Sequence, residues 1–204
     1  TVDDKGNVLD WTMDIYSTPH GTRPGGKAGN LLSARYLETP FEQRFVRDPR
    51  LDSRIRQGFG PLHAQLARAV PAEWRADPRA MLAVVIVLDQ FSRNLYHDDP
   101  RAYENDATAR KLAEDVLSKG WDEHLGVEER YFLYLPFMHS EELADQDRSV
   151  QLFGSLGTQQ GLDFAIRHRE QIRRFGRFPQ RNAVLGRQSR AGEVAFLEGP
   201  DARF

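Results

Sequence analysis

AMLAVVIVLDQFSRNLY, residues 80–96, is the stretch whose reading decides the fold. Every position from Ala80 to Leu88 is apolar, so neither a half-buried strand nor a one-sided helix accounts for it. Val84, Val85 and Val87 would suit a buried strand. A length of roughly 18 residues favours a helix, and a helix that is apolar all round belongs in the middle of a bundle. Its second half turns polar. Asp89 and Arg93, like Gln90 and Asn94, stand four residues apart and are expected to share a face in pairs. A carboxylate at the end of a central helix requires a partner, because an uncompensated buried charge costs several kcal/mol.

The neighbouring sequence supplies helix punctuation. Asp48-Pro49-Arg50, Asp77-Pro78-Arg79 and Asp99-Pro100-Arg101 each have the form of a helix start. Asp accepts from the free amides of the first turn, and proline suits a first position that needs no donor. Helices are predicted over about 49–69, 78–96 and 100–119, the last ending at Gly120. Another begins near Val127 and is expected to break at Pro136. The chain restarts beyond it, with Leu143, Val150 and Phe153 in an apolar stripe and Gln146 in line with them. Further helices are predicted at Gln159–Phe175 and, short, around Gly192–Glu198.

Composition narrows the class. With 204 residues, 40% hydrophobic and 28% charged, the chain is of ordinary globular make-up and long enough to bury about 70% of its unfolded surface. Net charge is −2, which does not favour nucleic acid, and the absence of cysteine excludes disulfides and thiolate metal sites. No apolar run approaches the roughly 20 residues of a membrane span. No signal peptide reads at the start, so a cytoplasmic protein is expected. Residues 1–40 hold a short helix, Val8–Tyr16, and a Gly/Pro-rich loop, both expected to pack on an all-α domain of residues 41–204. Gly21–Ala28 imitates a phosphate-binding loop. It lacks the Ser or Thr after Lys27 and a strand before it, so no nucleotide cofactor is implied.

Several segments carry a family resemblance: LDQFSRNLY (88–96), RAYENDATARKLA (101–113), EERYFLYLPFMHSEELADQDRSVQLF (128–153) and RRFGRFPQRNAVLGRQS (173–189). Together they resemble the uncharacterised bacterial family called domain of unknown function 924, over about residues 41–204. The resemblance implies an all-α, tetratricopeptide-like fold with no established activity, and the whole reading predicts a single all-α domain of about eight to ten helices arranged as stacked hairpins. The family reads F-P-H-R-N where this chain has Phe178-Pro179-Gln180-Arg181-Asn182. Gln180 can hydrogen-bond but cannot transfer a proton. The family's opening L-D-F-W-F-G is only partly echoed by Leu9-Asp10-Trp11, and no role is carried onto residues 1–40.

His139, followed by Ser140, Glu141 and Glu142, is the main chemical candidate. A histidine beside carboxylates is suited to acid–base work, with Glu142 as its partner. The plainer reading is a helix start, with Ser140 capping and the acids facing the positive end of the dipole. His139, Glu142 and Asp145 do not make a recognised metal motif, and no metal site is expected. Ser140 has no nucleophile-elbow context.

Between Phe164 and Arg190 there are eight arginines against one acid, Glu170. They are open to three readings: neutralising the protein's own acids, binding a phosphate or carboxylate, or tracking nucleic acid. The first two are compatible, and the third is disfavoured by the net charge. The leading expectation is a polar pocket for a small anionic ligand. Arg93, Arg177, Arg181 and Arg187 would hold it, Asp89, Gln90, Asn94, Gln146 and Asn182 would line or orient it, and His139 would supply any chemistry. The competing expectation is a non-catalytic module that binds a peptide or protein partner.

Overall fold

The computed structural model describes residues 48–200. The helix expected at Val8–Tyr16 and the loop that imitates a phosphate site lie outside the described residues.

Helix α1 (Pro49–Arg68) starts as its sequence demands, with the Asp48 carboxylate accepting the Arg50 amide at 2.8 Å. Helix α2 is one continuous element in three parts: Pro78–Ile86, a π-helical turn Val87–Phe91, and Ser92–Leu95. Asp77 caps it through the Ala80 amide at 2.9 Å. Every residue from Ala80 to Phe91 is buried, and α2 packs against α3 (Asp106–Ser118), α4 (Val127–Met138) and, through its end, α1. It is the central helix that its all-round apolarity predicted. Removing each large side chain there from water is worth about 1.5–3 kcal/mol.

Two boundaries differ from expectation. Asp99 accepts the Arg101 amide, yet caps only a 3₁₀ turn, Pro100–Ala102, and α3 begins at Asp106. Proline with an aspartate cap starts a turn whether or not a helix continues from it. Pro136 does not break α4, which runs on to Met138. Proline removes a single amide there. Phe132, Leu133, Tyr134, Leu135 and Phe137 are all buried around it, and their packing outweighs the loss. Gly120, at φ 63°, takes the left-handed position after α3, as expected.

After α4 come α5 (Leu143–Leu156), α6 (Gln159–Phe175), a 3₁₀ turn Pro179–Arg181 and α7 (Ala191–Leu197). The stripe on α5 begins at Gln146, which is fully buried, whereas Leu143 is 44% exposed. Helix α6 comes unusually close to its neighbours at Gly161. A side-chain carbon there would stand 2.9 Å from both Phe153 and Tyr131, so only glycine fits without a shift. The described residues thus form an all-helical single domain with seven α-helices, and the eight to ten expected for the whole chain included the helix at Val8–Tyr16, outside the described residues. Among them, no helix is long and apolar enough to cross a membrane.

Candidate functional site

The polar half of α2 meets the end of α4 and the segment after α6 in one layer. His139 occupies the residue that closes α4, and its Nδ1 lies 2.8 Å and 3.0 Å from the two oxygens of Asp89. A carboxylate only accepts, so Nδ1 carries a proton, and in the neutral ring Nε2 is the unprotonated nitrogen, turned away from Asp89. Nε2 makes no hydrogen bond to the described residues. Gln90 donates its side-chain amide to Asp89 Oδ2, and Arg93 stands 3.5 Å from Oδ1. Burial acts to raise the Asp89 carboxyl. The His139 and Arg93 charges and the hydrogen bonds overcome that and hold it below the usual carboxylate range.

The π-helical turn shapes this geometry. It lies at Val87–Phe91, around Asp89 and Gln90, and side chains of the next turn take up its carbonyls. Ser92 donates to the Leu88 oxygen and Arg93 to the Asp89 oxygen, each at 2.6 Å. Arg93 then reaches across the layer and grips both oxygens of Asp106 at 3.0 Å. Burial works against its charge, and Asp89 and Asp106 more than restore it.

Arg181 enters from the opposite side, on the turn Pro179–Arg181. It donates to the His139 carbonyl at 2.9 Å and to Asp106 at 3.3 Å. Its guanidinium carbon sits 4.6 Å from the ring centroids of both Tyr103 and Phe178, a cation clamped between two aromatic faces. His168 completes the layer. Its ring centroid is 6.5 Å from that of His139, and its Nδ1 donates to the Phe164 carbonyl at 2.8 Å. Burial pulls its pKa down to about 3, so this second histidine is neutral at ordinary pH.

The remaining sequence-predicted residues are spread around this layer. Gln146 lies behind it, where its amide nitrogen donates to the carbonyls of Met138 at 2.8 Å and Ser140 at 2.6 Å and so holds the turn that carries His139. Arg187 forms a fork on Glu141 at 2.6 Å and 3.0 Å, and its Nε donates to Asn182 at 3.0 Å. Arg177 forks onto Glu193 at 2.8 Å through both nitrogens, and Asn182 donates to the same carboxylate at 3.1 Å. Glu142 is exposed and precedes α5. Its amide donates to Ser140 Oγ at 3.2 Å, and Ser140 Oγ donates to Asp145 at 2.7 Å. Asn94 faces away from the layer, to Asp52 on α1 at 2.9 Å. Gln180 is exposed.

Asp106, Tyr103, Glu193, Phe178 and His168 belong to this constellation and were not among the predicted residues, whereas Glu141 was named with His139 and is the acid that Arg187 meets. The odd charge balance of the arginine-rich segment was the one signal that acids elsewhere had to face it. Among the described residues, no group of three or more His, Asp or Glu could hold a metal ion.

Comparison with known proteins agrees with the fold. A family described as "Bacterial protein of unknown function (DUF924)" matches residues 32–201. A solved structure, the protein of unknown function ATU0120 from Agrobacterium tumefaciens, superposes with a TM-score of 0.80 at 31% identity, over 84% of this chain and 97% of that one. No curated protein matches. With the family matched over most of its length and a solved relative covered almost from end to end, the chain belongs to the DUF924 family of bacterial proteins.

Proposed function

We propose that the polar layer binds a small anionic ligand, with His139 as the acid–base group. Asp89 is its orienting partner, and Arg93 and Arg181 are the flanking cations. One observation carries this reading: a buried carboxylate fixes Nδ1 of His139 and leaves Nε2 outward without a partner among the described residues. Such a pair stabilises the imidazolium that forms when Nε2 takes a proton, and it selects the tautomer able to take it. Charge supports an anion. Asp89 and Asp106 balance Arg93 and Arg181 while His139 is neutral, and a protonated His139 leaves the layer one positive charge in excess.

The test is a thermal-shift screen of carboxylates and phosphate monoesters. A ligand at 100 times its Kd should add about 2.7 kcal/mol of stability to the wild type. His139→Asn should remove that gain while keeping the helical circular dichroism. An unresponsive wild type, or a variant that unfolds, would overturn the reading.

A second reading, a tetratricopeptide-like module for a peptide partner, is favoured by an apolar cavity of about 440 Å³. Val127, Tyr131, Phe132 and Gly161 line it, with Glu128, Thr158 and Gln160 at its edge, at the starts of α4 and α6. Peptide binding there would be sensitive to Val127→Glu and indifferent to His139→Asn.

A further inference from the structure

Two glutamate–arginine forks hold the segment after α6, and they differ in one respect. The Glu193 side chain in the Arg177 fork is 1% exposed. Glu141, in the Arg187 fork, is 27% exposed and belongs to the connection between α4 and α5, two residues from His139. The Glu141 carboxylate accepts three hydrogen bonds: two from Arg187, and one from the main-chain amide of Phe178 at 2.8 Å. A planar guanidinium fork beside a main-chain N–H is the donor set that carboxylates and phosphates select.

The cradle does not depend on its occupant. Arg187 Nε is fixed by Asn182 at 3.0 Å and its Nη2 by the Phe178 carbonyl at 3.1 Å, so the fork stays aimed if Glu141 leaves. Glu141 is already partly exposed and lies between the two helices, so its side chain can turn to water without unwinding either. Burial acts to raise its carboxyl, and the bonds from Arg187 and Phe178 reverse that, so leaving would relieve one effect as it gives up the other.

We propose that the Phe178 amide and the Arg187 fork form an oxyanion subsite, filled by Glu141 in the free protein and taken over by a carboxylate or phosphate group of the ligand. This deepens the proposed function and rests on it for the ligand's link to His139. Glu141 is then a built-in competitor, and removing it should strengthen anion binding rather than weaken it.

Titrations with inorganic phosphate and with acetate, at ionic strength held constant with chloride, test this by thermal shift. Glu141→Ala and Glu141→Gln should each bind at least one of the two anions tenfold or more tighter than wild type. Adding Arg187→Gln should abolish the gain. Glu141→Gln keeps a hydrogen-bonding side chain in place and carries the measurement if Glu141→Ala unfolds. No tightening in either variant, or tightening that survives Arg187→Gln, overturns the subsite. His139→Asn added to Glu141→Gln separates the two proposals. Tightening of phosphate or acetate that persists there and is lost on adding Arg187→Gln supports the subsite whatever the role of His139, and tightening lost with His139→Asn overturns it as a subsite of its own.

Discussion

Helix α2 and the turn after it carry two aspartate–histidine contacts of equal length, and they are built differently. Asp89 meets His139 through Nδ1 at 2.8 Å, and Asp52 meets His97 through Nε2 at 2.8 Å. In the first pair the carboxylate is 1% and the imidazole 16% exposed; in the second the values are 10% and 29%. Asp89 also has Gln90 and Arg93, and its neighbours continue through Asp106 to Arg181. Asp52 has one further side-chain donor, Asn94. The same two residue types therefore give an electrostatic centre inside the layer and a local tie to α1 near the surface. Desolvation makes the difference, because the inner carboxylate has no water to fall back on.

The largest expected difference is thermodynamic. Asp89→Ala strands Arg93 and His139 in a buried setting and should cost about 3–5 kcal/mol in urea unfolding. Asp52→Ala removes two hydrogen bonds whose donors, His97 and Asn94, are half-buried and can turn to water, and should cost about 1–2 kcal/mol. Equal costs would erase the distinction.

Acid should act on the inner layer next. His168 is neutral in the fold, with its pKa pulled down to about 3 by burial, whereas in the unfolded chain it takes a proton near its ordinary value of about 6.5. The unfolded state therefore binds more protons between those values. The stability conferred by neutral His168 is complete above the upper value and falls with pH at up to about 1.4 kcal/mol per unit. His63 is also depressed by burial and adds a loss of the same sign. Asp89 joins at the acid end, because its depressed carboxyl stabilises the fold above the unfolded value of about 3.9 and loses that contribution below it. His168→Gln should flatten the decline between about pH 6.5 and 4, as measured by denaturant midpoints. If the variant declines as steeply as the wild type, His168 is not the buried neutral group described.

The smallest effect is spectroscopic. In its neutral form His139 should carry the proton on Nδ1 and His97 on Nε2, since each nitrogen faces an acceptor-only carboxylate. Nitrogen-15 correlation spectra of the imidazole rings read this directly. The same tautomer for both would remove the geometric basis of the comparison and, with it, the role assigned to Nε2 of His139.

Some of this was legible in the residues. Asp89 and Arg93 stand together, as their spacing requires, and the need of a buried Asp for a cationic partner was met. Gln146 was read as an inward polar residue on an apolar stripe, and it is fully buried. Other elements were not legible. Gln90 and Asn94 part company, one beside Asp89 and the other on Asp52 of α1. The partner each finds is set by the element packed on its side, Asp89 in the layer for Gln90 and Asp52 on α1 for Asn94, and the spacing does not encode it. Glu141 and Glu142 are equivalent in sequence, and only the position of Arg187 and the Phe178 amide chooses between them. Asp106 gave no local sign of its role, because both its arginine partners come from other elements.

The amino-acid sequence by itself determined the helical class, the central place of residues 80–91 and the presence of a polar layer at their end. Those features come from periodicity, from caps and from the cost of burying polar groups, all of which act locally. Which acid meets which arginine, and which histidine nitrogen is left outward, was decided only by the tertiary structure. Partners far apart in the chain meet at distances set by packing, and sequence spacing does not encode the contact between two elements.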